Sequence, residues 1–292
     1  PEFKSIYWWE WSHRQLGRFI GVVFAVGYLG LLLGGHIRGK RAVAYLGIGV
    51  LGGLQAFVGW IMVASGLKPG MTAVEPVRLM LHLTLASMIF ALLVTTATAL
   101  KPRSERVSPA HAKMARLLLG LTLLQIALGA WVSSNYAVLA CDTYPKCQNQ
   151  WWPAMDFARA YDLTHHEIGP NYLGGLLYGE ARTAIHVGHR LGALTVALVL
   201  LALAWQLYRH GFGRLAALLL GALTLQLGLG IANVLLSLPL AVAVAHNGGG
   251  ALLLLVLVTI NYRLRPARLL QPASASDSPL PPRTGRLELP GA

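Results

Sequence analysis

Four histidines fall within apolar stretches as two matching pairs, His13 with His82 and His189 with His246. A histidine inside a bilayer is costly and needs a strong partner, and a single one most often serves as an interhelical hydrogen-bonding group. Four at matched depth in repeated positions point instead to paired axial imidazoles gripping haem iron, one haem to each pair. Glu10 precedes His13 by three residues and His186 precedes His189 by the same step, which puts each pair on one helix face. A carboxylate beside a haem edge can take or relay protons; the plainer reading of Glu10 is an interfacial residue stabilised by a helix N-terminus. Arg14 and Arg190 directly follow their histidines, and Arg78 lies one turn outward of His82. Their guanidinium forks suit haem propionates, and snorkelling to the lipid interface explains them equally well.

These residues need long apolar helices to hold them. Hydrophobic residues make up 55% of the 292 and charged residues only 12%, and apolar runs alternate with short basic or Gly/Pro-marked breaks. That pattern defines an all-α polytopic membrane protein. Seven spans are expected, at 12–35, 42–66, 77–100, 113–134, 181–208, 214–237 and 240–262. Each reaches the roughly 20 residues a membrane helix requires, whereas 135–180 is too polar and aromatic to cross. The net charge of +13 raises the question of nucleic acid, but the basic residues lie in the breaks and the tail with no aromatic-interleaved groove, so no nucleic-acid partner is expected. Arg38, Lys40 and Arg41, then Lys101 to Arg116, Arg209 and Arg214, and Arg263 to Arg268 mark the cytoplasmic ends. The alternate loops are neutral or, at 135–180, acid-leaning through Asp142, Asp156, Asp162 and Glu167. All four histidines then lie on the outer side, roughly 10 Å deep.

An internal repeat organises the chain. WSHRQLGRFIGVVFA near residue 11 parallels VGHRLGALTVALVLL near 187, and each is followed by an LQ motif with a nearby Gly and then by a helix with an early histidine. The copies are four spans apart, so they run the same way through the membrane as two parallel pseudo-symmetric four-helix halves. A third LQ motif at 124 has its counterpart before residue 1, so the pattern predicts that the first helix is missing; the start at Pro1 agrees with truncation. Expected units are a first half at 1–112, a second half at 113–265 with its outward loop at 135–180, and a Pro- and Ser-rich, disordered cytoplasmic tail at 266–292. Oligomeric state has no signature here.

Gln55, Gln125 and Gln226 read as interhelical polar contacts or as lining of a substrate path. Trp8, Trp9, Trp11, Trp151 and Trp152 fit an outer aromatic belt. Cys141 and Cys147, in CDTYPKC, fit a disulfide that orders the outward loop or takes a redox role. His36, His111 and His210 sit by basic loops, and His165 and His166 lie in the outward loop, where they are expected to bind metal only incidentally.

EFKSIYWWEWSHRQLGR, RLMLHL, GAWVSSNYAVLACDTYPKC, AIHVGHR and AHNGG, in that order, resemble the haem A synthase family over residues 1 to about 263. The resemblance implies a bacterial inner-membrane enzyme that oxidises the C8 methyl of haem O to a formyl group, by two successive hydroxylations and loss of water. It implies a permanent haem b on His189 and His246 with Arg190 nearby. His13 and His82, with Arg14 and Arg78, would bind the haem O substrate, and Glu10 matches the carboxylate required for turnover. Haem O synthase and oxidase assembly factors are the implied partners. Two other classes also explain four histidines: a bis-histidine cytochrome b that only carries electrons, and a parallel-repeat transporter with histidine proton relays. Bound haem separates the last from the others.

Overall fold

The computed structural model describes residues 2–67, 69, 73–100, 109–163 and 177–264, with backbone alone at 2–6 and 109–112. The expected tail, His165, His166, Glu167, Lys101, Arg103 and Arg106 lie outside them, as does the side chain of His111. Among the described residues there are helices and no strands: α1 (Glu2–Leu33), α2 (Gly39–Ser65), α3 (Pro76–Ala99), α4 (Pro109–Ser134), α5 (Phe157–Ala160), α6 (Gly179–Arg209), α7 (Gly213–Leu235) and α8 (Leu240–Arg263). All but α5 are long and apolar enough to cross a membrane, so the seven expected spans are present. Pro76 at the start of α3 and Pro239 just before α8 suit helix entries, where a missing N–H costs nothing.

Helix α1 starts further out than the expected span. Trp8 packs edge-on against Tyr7 and Trp11, and this aromatic turn extends the helix beyond the apolar stretch. His13 therefore stands several turns into α1 rather than at its opening. His82 and His246 stand in the second turns of α3 and α8, and His189 sits at least a turn deeper in α6.

Helices α4, α6, α7 and α8 close into a four-helix ring, α4 meeting both α6 and α8. Leu118, Leu200, Leu203, Leu219, Leu257 and Ile260 fill its core. Helices α1, α2 and α3 follow one another as an open row, and α3 joins the ring by packing on α4 and α8. Burial reflects the difference. About a third of each span's apolar window is inside the protein for α4 and α6 (33%), against 0% for α1 and α2. In a bilayer the exposed apolar faces meet lipid tails rather than water, so helix association rests on close packing and polar contacts. Asn261 Nδ2 on α8 supplies one, donating to the Ala115 carbonyl of α4 at 2.7 Å. Several hydroxyls are satisfied within their own helices, as where Thr84 donates to the Met80 carbonyl at 2.7 Å and Thr195 to that of Leu191 at 2.9 Å.

The loop between α4 and α6 folds back onto the end of the ring where α4 finishes and α6 begins. Trp131 Nε1 donates to the Ala160 carbonyl at 2.9 Å, and Cys141 and Cys147 form a disulfide with Cα atoms 4.5 Å apart. Asp156 caps α5 by accepting from the Arg159 N–H at 2.9 Å and also accepts from the Tyr178 hydroxyl. The Arg159 N–H and then the Tyr178 hydrogen bond hold the Asp156 carboxyl below its ordinary range. Trp8, Trp9, Trp11, Trp151 and Trp152 are all exposed.

Candidate functional site

Helix α1 and helix α3 bring His13 and His82 together, their ring centroids 6.4 Å apart and their planes at 76°. An atom held about 2 Å from one nitrogen of each of two imidazoles sets the centroids about 6 Å apart, so this pair fits a single iron gripped from both sides. Beside them lies a cavity of about 330 Å³ lined by His13, His82 and Gln55. Its far wall comes from the second half: Ala130 and Ser133 of α4, and Asn247 of α8. His189 stands on α6 and His246 on α8, two helices of the ring, and the buried Nδ1 of His246 has no hydrogen-bond partner. His189 and His246, like His13 and His82, are thus two imidazoles on two different helices.

Three of the four histidines lie against a glutamine of the preceding long helix. Gln55 Nε2 donates to the His82 carbonyl at 3.0 Å and lies 3.1 Å from Nδ1 and 3.2 Å from Nε2 of the His82 ring. Gln125 Nε2 donates to the His189 carbonyl at 2.9 Å and lies 2.9 Å from His189 Nδ1. Gln226 Nε2 lies 3.4 Å from His246 Nε2. One turn after each glutamine comes a glycine on which the imidazole edge rests. A Cβ would stand 2.8 Å from Cε1 of His82 at Gly59, and 3.1 Å from Cε1 of His189 and His246 at Gly129 and Gly230. Sequence reasoning took these glutamines as general interhelical contacts; the signal that identifies their role is the shared Gln-x-x-x-Gly spacing ahead of each histidine-bearing helix.

Gly129→Ala should therefore displace the His189 ring, since a methyl at 3.1 Å is tighter than ordinary contact. Haem retention should weaken by about 10–100-fold, the usual cost of disturbing a ligand's support. Gly120→Ala, which faces open space, is the control and should change nothing. Haem per protein in the two purified variants checks both outcomes.

The second polar residue of each half pairs with an arginine one turn on. Glu10 forms an ion pair with Arg14, both half in solvent. At the equivalent positions His186, buried, accepts at Nε2 from Arg190 Nε at 3.2 Å. Arg190 also donates to the carbonyls of Thr143 at 3.0 Å, Lys146 at 3.1 Å and Cys141 at 3.2 Å, and its guanidinium lies 5.7 Å from the centre of the Tyr144 ring. Arg78 donates to the Ile61 carbonyl at 2.8 Å and pairs with Glu75, tying α3 to the outer end of α2. Each arginine therefore has protein partners at the outer ends of the helices, and Glu10 lies on the His13 face of α1, one turn outward.

Residues 1–258 match the cytochrome oxidase assembly protein family, COX15-CtaA. The chain belongs to this family. The family match takes in all four histidines and all three glutamines. Among its relatives, the chain is 42% identical over 237 residues to a heme A synthase of Methylorubrum populi, covering 78% of this chain and 58% of that protein. It is 43% identical over 204 residues to a heme A synthase of Methylobacterium sp. strain 4-46, covering 70% and 53%. A third, from Azorhizobium caulinodans, is 44% identical over 153 residues, covering 52% and 44%. The chain thus spans a little over half the length of the first two curated relatives.

Proposed function

We propose that this protein is a haem A synthase, which takes haem O into the first half between His13 and His82 and oxidises its C8 methyl to a formyl group. A permanent haem b is held in the second half by His189 and His246. The observation that carries the reading is the 6.4 Å facing pair His13 and His82, set on a cavity whose far wall belongs to the second half. When bound, haem b supplies one-electron redox chemistry, for which two neutral imidazoles are suited.

The chain's own residues divide the remaining work. His13 and His82 orient the substrate so that one edge lies along the cavity, and the apolar Leu79, Leu83 and Ala86 exclude water there. Glu10, one turn outward of His13 on the same face, takes the protons released as the methyl carbon is oxidised. Arg14 holds that carboxylate in place. His186 stands where Glu10 would be in the second half and is tied to Arg190, which gives that half no equivalent proton acceptor. This asymmetry favours a synthase over a protein that only carries electrons. Arg14, Arg78 and Arg190 stand at the outer ends of the sites, where propionates seek cations.

The basic breaks between helices support an orientation with the haem sites toward the periplasmic side of a bacterial inner membrane. The residue ranges 1–112 and 113–265 serve as substrate half and haem b half. Haem O synthase is the partner that delivers substrate, and oxidase assembly factors receive the product. The deciding experiment is to express the protein with a source of haem O and extract its haem. Haem A in the extract supports the reading. Haem O and haem b alone leave an electron-carrying cytochrome b, and no haem at all leaves neither.

A further inference from the structure

We infer that Gln55, Gln125 and Gln226 are positioning residues that set the orientation and basicity of His82, His189 and His246 as iron ligands. The inference rests on the haem-binding reading above. Three glutamines on three different helices meet the edge of a histidine on the next long helix, each one turn before the glycine that admits the ring. In all three the amide Oε1 is buried and has no hydrogen-bond partner. A buried acceptor left unpaired at one site would be an accident of packing; at three equivalent sites it marks a shared requirement. An imidazole that gives one ring nitrogen to iron carries its proton on the other and needs an acceptor there; Gln125 meets His189 at Nδ1, whereas Gln226 meets His246 at Nε2. A turn of the amide about its terminal bond offers Oε1 to that proton, and the ligand's own carbonyl keeps its intrahelical partner.

The second half is shaped further for this contact. A Cβ at Gly192 would collide with Oε1 of Gln125, and one at Gly249 with Oε1 of Gln226. Each of these glycines lies three residues after the histidine that the glutamine serves, so the helix carrying the ligand also leaves room for its support. His82 has Leu85 at that position. The half with the glycine seats on both ligands is the one proposed to hold its haem permanently.

The test uses the purified full chain and follows haem per protein and the midpoint potential of the second-half haem. Gln125→Leu removes the acceptor at similar volume, making His189 a weaker donor to iron, so the potential should shift upward. Gln125→Glu strengthens the acceptor and should shift it downward. Opposite shifts from the two variants, or haem lost in Q125L and kept in Q125E, support the inference. Haem kept in Q125L at an unchanged or lowered potential, or haem lost in both, overturns it. A wild-type chain without haem would sink the haem-binding reading itself, so the two failures are distinguishable.

Discussion

Replacing His246 by Ala leaves the second half without its haem while the helices stay assembled. Disturbing a residue that merely supports a metal ligand costs about 10–100-fold in affinity, so deleting the ligand itself should lower haem b occupancy at least tenfold. The fold should survive because α8 is anchored below the site by Leu253, Leu257 and Ile260 in the ring core and by the Asn261 bond to α4. Haemochrome assay gives the first quantity and size-exclusion behaviour in detergent the second. Imidazole added to the variant should restore part of the low-spin spectrum by filling the vacated position. An unchanged haem b content would remove His246 from the ligand set and with it the paired reading of the second half.

Glu10→Ala should lower haem A formation by about 10²–10⁴-fold, the usual worth of a positioned proton acceptor, with haem b still bound. The ion pair it breaks with Arg14 is exposed, and such pairs contribute about 0–1 kcal/mol, so the protein should purify as before. Haem composition of the extract separates the outcomes under conditions where the unaltered chain makes haem A. Parallel loss of haem b and haem A would make Glu10 a structural residue. Product formation close to that of the unaltered chain would move the proton chemistry to another group.

Most of the fold was legible because the bilayer imposes a simple length rule on apolar helices, and all seven expected spans appear within a few residues of their helices. The exception is the outer end of α1, where Trp8 and Trp11 carry the helix past the apolar run. Hydropathy cannot report an aromatic, interfacial turn of that kind. The pairing of His13 with His82 was legible from the repeat, since two copies of one pattern imply one geometry. The glutamines were read as interhelical polar contacts or as lining of a substrate path, and not as partners of the histidines, because that role depends on which helix lies beside which. Gln125 and His189 are far apart in sequence, and the loop between α4 and α6 intervenes. The hold of Arg190 on three carbonyls of the disulfide loop was hidden for a related reason: backbone acceptors carry no residue-type signature.

The cavity beside His13 and His82 draws part of its lining from α4 and α8, the helices that also carry Gly129 and His246. Ala130 and Asn247 line that cavity, while the adjoining Gly129 meets the His189 ring and the adjoining His246 rests against Gly230. A substitution made on α4 or α8 to reshape the cavity will therefore also disturb the seats of His189 and His246. For anyone redesigning this cavity, α1, α2 and α3 are the places to cut, because they line it without carrying His189, His246 or the glycines beneath those rings.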